Sequence, residues 1–229
     1  MKKILLPLLI GLLIGCTNDA YDSGDGTYSY LRADFVEAHT ISTQTIDQAT
    51  TDDGTTLRFN PYATAEWAEK ADTLYRALIY YHDGTTAGEK TVESIAVNRV
   101  PVLRPVTEEE FEGEQRTDPV SLESIWLSTN KKYINLALLL KTGKADDPEA
   151  VQRIGMIKSE DAEGRPTLRL LHDQGTVPQY YTTRLYLSIP TTDLKAPSQP
   201  PPVGEAPVPP RARIIVNTYK GVIEKTIEL

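Results

Sequence analysis

The chain has 229 residues, a net charge of −8 and a pI near 5, so it lacks the Lys/Arg excess that neutralises phosphates and is not read as a nucleic-acid binder. The same balance argues against a polybasic contact with a membrane surface. A single cysteine, Cys16, leaves no disulfide to form, so the fold must rest on its hydrophobic core.

Lys2 and Lys3 precede an apolar run over residues 4–14 that is too short for a bilayer span, which needs about 20 residues. Residues 1–15 are read as a cleaved signal peptide. Leu13-Ile14-Gly15-Cys16 has the form of a bacterial lipobox, with the small Gly15 at the cleavage point and Cys16 as the acylated N-terminus. Cleavage leaves 214 residues and, by removing the two lysines, takes the charge from −8 to −10. Residues 16–26, polar and acidic with Gly24 and Gly26, are expected to form a flexible tether. The expected location is the outer membrane, on the periplasmic side or the cell surface, with the lipid on Cys16 as the membrane contact.

From residue 27 the pattern is that of strands. Residues 31–35 and 55–59 alternate apolar and charged or polar side chains, with a turn at Asp52-Asp53-Gly54. Asn60-Pro61 offers an N-cap and a first-turn proline, which predicts a short helix through Ala63, Ala65, Trp67, Ala68 and Lys70. Residues 74–81 form a strand with Tyr75, Ala77, Ile79 and Tyr81 on one face, followed by a turn at Asp83-Gly84. One more strand is expected over residues 90–102. Three strands, a helix and two strands give the element order of a small OB-type barrel, placed at residues 27–104.

Residues 105–118 are expected to be an acidic, solvated linker, although Thr107 and Glu110 have capping-box spacing. Residues 119–229 carry about seven strands spaced by turn signals, the pattern of an antiparallel β-sandwich. Among them Ile134, Leu136, Leu138 and Leu140 share one face of a buried strand, and hairpins are expected at Glu163-Gly164 and Lys220-Gly221. A proline-rich loop, residues 196–210, interrupts this domain and reads as a stiff connection. The fold class is therefore all-β, a small OB-type barrel followed by a sandwich.

No nucleophile elbow, H-E-x-x-H, Walker loop or dinucleotide fingerprint is present. His39, His82 and His172 have no second ligand at a metal-binding spacing, so no metal or cofactor is implied. Asp52-Asp53 and Asp146-Asp147 sit beside glycine or proline and read as turns. The chain is read as a non-enzymatic binding or accessory module for a protein, peptide or glycan. A hydrolase with a site of dispersed acids is the enzymatic alternative. OB barrels bind extended ligands across strands two and three, with aromatics supplying stacking area. The candidate ligand-binding residues are Trp67, Tyr75, Tyr80 and His82. Tyr81 is expected in the core, because it shares its face with Ala77 and Ile79, and Tyr80 on the exposed face with Arg76.

With its lipobox, acidic tether, the run Ala71-Asp72-Thr73-Leu74-Tyr75-Arg76-Ala77-Leu78-Ile79-Tyr80-Tyr81, Ser124-Ile125-Trp126-Leu127, Tyr133-Ile134-Asn135-Leu136, Leu170-Leu171-His172-Asp173 and Tyr186-Leu187-Ser188-Ile189-Pro190, the chain resembles the NigD-like lipoproteins of Bacteroidota. The resemblance spans nearly the whole mature chain and implies an N-terminal OB domain with a C-terminal β-sandwich. The family takes its name from a bacteriocin operon, which implies a bacteriocin-associated or immunity-type role as a second reading. It supplies no catalytic residue to carry over, and the proline-rich loop departs from its pattern.

Overall fold

The computed structural model describes residues 31–82, 90–194 and 210–229. The signal segment, Cys16, the tether, Asp83-Gly84 and the proline-rich stretch as far as Pro209 lie outside the described residues. Those described form two β bodies, each around its own apolar cluster.

The first body is a six-segment sheet: β1 (Leu31–Ser42), β2 (Thr45–Thr51), β3 (Thr56–Thr64), β4 (Thr73–His82), β5 (Lys90–Val92) and β6 (Ser94–Arg99). The spatial order is β5-β3-β2-β1-β4-β6. The expected single strand over residues 90–102 is broken at Glu93. Its first piece runs parallel to β3, and its second runs antiparallel to β4 at the opposite edge. One bent run thus joins both edges of the sheet and curls it, as in an OB barrel. The interior is small. Ala38, Ala49 and Ala77 sit among Val36, Ile46, Leu57, Ile79 and Tyr81, all nearly inaccessible.

The expected helix after Asn60-Pro61 does not form. Residues 60–64 continue β3, with a cis bond between Asn60 and Pro61. The pairing of β3 with β2 jumps from Arg58↔Gln48 to Ala63↔Ile46, so residues 59–62 bulge out of the ladder. Pro61 has no N–H to give to a ladder, and a bulge is where a strand tolerates it. Residues 65–72 form a turn region tied to the barrel. The Ala65 N–H donates to the Gln44 carbonyl, the Gln44 N–H to that of Ala68, and the Thr40 hydroxyl to that of Lys70.

The second body stacks two sheets. One contains β7 (Ser121–Leu127), β8 (Tyr133–Thr142) and β11 (Tyr181–Pro190) in the order β11-β8-β7. The other contains β9 (Arg153–Glu160), β10 (Pro166–Asp173), β12 (Arg211–Thr218) and β13 (Gly221–Glu228) in the order β13-β12-β10-β9. The expected hairpins join β9 to β10 and β12 to β13. One pair departs from the antiparallel expectation. β10 and β12 run parallel, because β11 between them in sequence has crossed to the facing sheet. On β8, Ile134, Leu136 and Leu138 are fully buried and Leu140 nearly so. At the corner of the sandwich, Lys225 of edge strand β13 donates through Nζ to the Ile125 carbonyl of edge strand β7 at 3.0 Å.

Residues 105–118, expected as a solvated linker, are bonded along the second body. Val106 bridges to Ile157 of β9 and Thr117 to His172 of β10. The capping box is formed. The Thr107 N–H donates to Glu110 at 2.9 Å and the Glu110 N–H to the Thr107 hydroxyl at 3.3 Å. That backbone donor holds the Glu110 carboxyl below its ordinary range.

Candidate functional site

The barrel buries one outer face and leaves another open, and this asymmetry defines where a ligand can reach it. Alternation on β4 points Arg76, Leu78 and Tyr80 away from the barrel core. Arg76 and Leu78 are nonetheless 4% and 5% exposed, because the three-stranded sheet of the sandwich covers them. Arg76 donates through Nη1 and Nη2 to the two carboxylate oxygens of Asp52 at 2.6 and 2.7 Å. Its Nε donates to Ser188 Oγ on β11 at 3.2 Å, and Nη2 also donates to Asn135 Oδ1 on β8 at 3.3 Å. The guanidinium carbon lies 4.3 Å from the Tyr133 ring centroid and 5.3 Å from that of Phe35. Phe35 in turn meets Trp126 and Tyr186 edge-on at 5.5 and 5.3 Å.

Glu37 closes the same seam. It accepts from Lys132 Nζ at 2.6 Å and from the Tyr133 hydroxyl at 3.0 Å. Burial, helped by the Glu37 carboxylate, pushes the Tyr133 phenol up to about 12. The expectation that Arg76 marks a solvent face is therefore corrected: it marks the seam between the bodies. Asp52, one of the paired turn carboxylates, is its partner. The other, Asp53, accepts from the Thr51 hydroxyl and the Thr55 N–H and is held below its ordinary range.

The open face lies over β2 and β3. Arg58, Asn60, Tyr62 and Thr64 all point outward on β3 and are exposed, with Tyr62 56% accessible at the bulge. A bulge re-aims a side chain that a regular ladder would align with its neighbours. Tyr62 is not picked out by the sequence, because Asn60-Pro61 before it has the form of a helix start. The useful signal was the alternation Leu57, Phe59 against Arg58, Asn60, which runs on into the proline.

The four residues named from sequence fall into two separate groups. Trp67 and Tyr75 stack edge-on at 5.6 Å and pack against the barrel core. The Trp67 Nε1–H donates to the Val97 carbonyl at 3.3 Å, and the Tyr75 hydroxyl accepts from the Lys70 N–H at 2.9 Å. Their polar atoms are thus spent on the fold. Tyr80 and His82 lie half-buried at the far end of β4, opposite Ala33 and Leu31 of β1. Tyr81 is 1% exposed, in the core as expected, and its hydroxyl donates to Asp34 at 2.7 Å. Among the described residues no group of three or more His, Cys, Asp or Glu is arranged to hold a metal ion.

His39 on β1 is held between two carboxylates, with Nδ1 2.7 Å from Asp47 and Nε2 3.2 Å from Asp72. The Asp47 hydrogen bond, then that of Asp72, raises its pKa above 6.5. The group binds its proton more tightly when folded, so its stabilisation is complete below about pH 6.5 and disappears as pH rises through the raised value. Urea midpoints of the native chain should exceed those of Asp47→Asn at pH 5.5 by more than at pH 8.5. A pH-independent gap between the two would refute the coupling.

No family model and no curated protein matches the chain. Solved structures do. A NigD-like immunity protein from Bacteroides caccae aligns over 85% of this chain and 91% of its own at 20% identity, with a TM-score of 0.63. A provisionally named toxin-related protein from Parabacteroides distasonis aligns over 87% and 93% at 16% identity and 0.61. A provisionally named lipoprotein from Bacteroides fragilis aligns over 86% and 97% at 16% identity and 0.57. The barrel and the sandwich together make up the fold that this chain shares with the NigD-like immunity protein across most of both lengths.

Proposed function

We propose that the chain is a lipoprotein of the NigD-like group, anchored in the outer membrane through an acylated Cys16, that acts by binding a protein, peptide or glycan without turning it over. The observation that carries this is the barrel's two-sided economy. One outer face is spent on the sandwich, and the β2–β3 face, where OB barrels take extended ligands, stays open with Tyr62 raised on a bulge. The names of the structural neighbours favour an immunity-type role, in which the bound partner is a toxin.

A pull-down from native membranes with the acylated protein supplies the partner, and two substitutions then test the face. Tyr62→Ala should weaken capture by about 1–3 kcal/mol, the range for a lost stacking contact, without moving the melting temperature. Tyr80→Ala probes the second surface, the end of β4 with His82, in the same assay. Full capture by both variants would refute barrel recognition.

The anchor has its own test. Cys16→Ala should abolish palmitate labelling and leave an unprocessed or soluble exported form, because stable lipid attachment needs the two or more acyl chains that a lipidated cysteine carries. Labelling of the variant at the native level would remove the anchor.

A further inference from the structure

The barrel covers the outer face of the three-stranded sheet at one end only. Alternation on β8 sends Ile134, Leu136, Leu138 and Leu140 into the sandwich, and Asn135 and Lys141 outward. Asn135 meets Arg76 beneath the barrel, and Lys141 lies six residues further on, about 20 Å at the rise of a strand. At that far end stands Tyr180, 77% accessible, the most exposed large hydrophobic side chain among the described residues.

A single exposed aromatic is ordinary, but this one has a built seat. A Cβ on Gly143, just past β8, would meet Tyr180 Cδ2 at 2.8 Å, and the Cβ and carbonyl oxygen of Pro178 at 3.1 Å each. Gly143 has no positive φ, so its backbone does not demand a glycine; the close approach of the ring does. The ring is thus set against bare main chain with most of its surface in water, and its hydroxyl bonds to no described residue. Lys141, two residues before Gly143 and on the same side of β8, rests its ammonium on the Tyr219 ring, 4.4 Å from the centroid. That ammonium donates to no described acceptor, so its three N–H donors are held in place and uncommitted. The Lys141 carbonyl accepts from the Gln152 and Gln174 side-chain amides at 2.7 and 3.2 Å, which fixes the end of the strand.

The surroundings carry no excess of positive charge. Arg184, outward on β11, is paired with Glu123 at 2.6 Å. The connection after β8 sets Lys144 against Asp146, Asp147 and Glu149. A ligand rich in carboxylate or sulfate is therefore disfavoured here. What remains is a seated aromatic surface beside a fixed donor, with nothing enclosing them. Sugar rings match this pair, because they offer an apolar C–H face and a rim of hydroxyls, and a tyrosine meets them with a large amphipathic surface at low entropic cost. Shallow contacts of this kind suit a polymer, whose repeats raise the effective concentration of each next contact.

We propose that this end of the sandwich binds an uncharged polysaccharide, with the C–H face of one sugar on the Tyr180 ring and its hydroxyls accepting from the Lys141 ammonium. The site is separate from the open face of the barrel and does not depend on what that face binds.

The mature full-length chain is run in native gels cast with hydroxyethylcellulose, xylan, galactomannan or dextran, and with polygalacturonate as the anionic counterpart. At least one neutral polymer should retard it. Tyr180→Ala should weaken that retardation about tenfold at an unchanged melting temperature, and Tyr180→Phe, which keeps the ring, should retain it. Gly143→Ala should weaken it with Tyr180 still present, by pushing the ring off its seat. Tyr181 is 60% exposed but is turned to the opposite side of the sheet by alternation, so Tyr181→Ala should bind as the native chain does. No retardation by any of the four neutral polymers, or retardation by polygalacturonate alone, would overturn the assignment. So would native binding by Tyr180→Ala or Gly143→Ala, or a loss in Tyr181→Ala as large as that in Tyr180→Ala.

Discussion

Arg76→Ala is expected to destabilise the protein by about 3–5 kcal/mol, the cost of deleting one member of a buried ion pair. The side chain is completely buried, and its loss would leave Asp52, 15% exposed, without the partner that took both of its oxygens. Ser188 and Asn135 would lose a donor in the same step. At this chain length the melting temperature should fall on the order of 10 °C. Arg76→Met separates charge from packing. A buried ion pair replaced on both sides by apolar groups is often neutral, but Met alone leaves Asp52 stranded, so Arg76→Met should remain well below native while the double change to Arg76→Met with Asp52→Leu recovers much of the loss. Trp67 reports from the barrel and Trp126 from the sandwich, so fluorescence in urea would also show whether the two bodies still unfold together. A drop below about 1 kcal/mol for Arg76→Ala would mean that the seam contributes little.

Tyr81→Ala is expected to cost about 3–5 kcal/mol, as for other large aromatics removed from a closed core. The ring lies among Ala77, Ile79 and the small side chains of the barrel, which cannot collapse into the void because the sheet is curled on itself. Tyr81→Phe separates the hydroxyl from the ring. Asp34 keeps about a quarter of its side chain in water and can rehydrate, so this change should cost about 1 kcal/mol. Tyr80→Ala on the next position should cost less than Tyr81→Ala, and the reverse order would contradict the face assignment. The measurement is the urea midpoint of each variant with its slope.

Much of the fold was legible because period two survives in sequence wherever one strand face meets water. On β4, Tyr75, Ala77, Ile79 and Tyr81 fill one face, and the assignment of Tyr81 inward follows from that alone. β8 is apolar enough to suggest a helix and reads as a strand only because it is short and lies between Lys131-Lys132 and Thr142-Gly143; its second apolar face has a cause that is visible only in three dimensions. Asn135 and Ala137 are buried beneath the barrel. Arg76 misled for that reason too, since a charged residue in an alternating strand signals a face without telling whether water or a second body lies beyond it. The pairing of Asn60 with Pro61 carries an equally local ambiguity, because a helix cap and a strand bulge both accommodate a residue that donates no N–H. Tyr62 was lost with it, and Tyr62 is the exposed aromatic of the open face. The parallel pairing of β10 with β12 joins residues more than forty positions apart, which no local pattern encodes.

The ammonium of Lys225 has a bearing on colloidal behaviour. Strand β13 is the outermost strand of its sheet and is exposed along almost its whole length, with Val222 62% and Ile223 40% accessible. Such a border invites a neighbouring molecule to zip on and extend the sheet without limit. Lys225 stands midway along that border and is anchored to the Ile125 carbonyl. A molecule docking there would have to dislodge a cation and dehydrate it before its first new ladder bond formed. Crowding molecules into a small volume raises the frequency of such encounters but leaves that toll unchanged, so this border resists pairing with a second copy at any concentration.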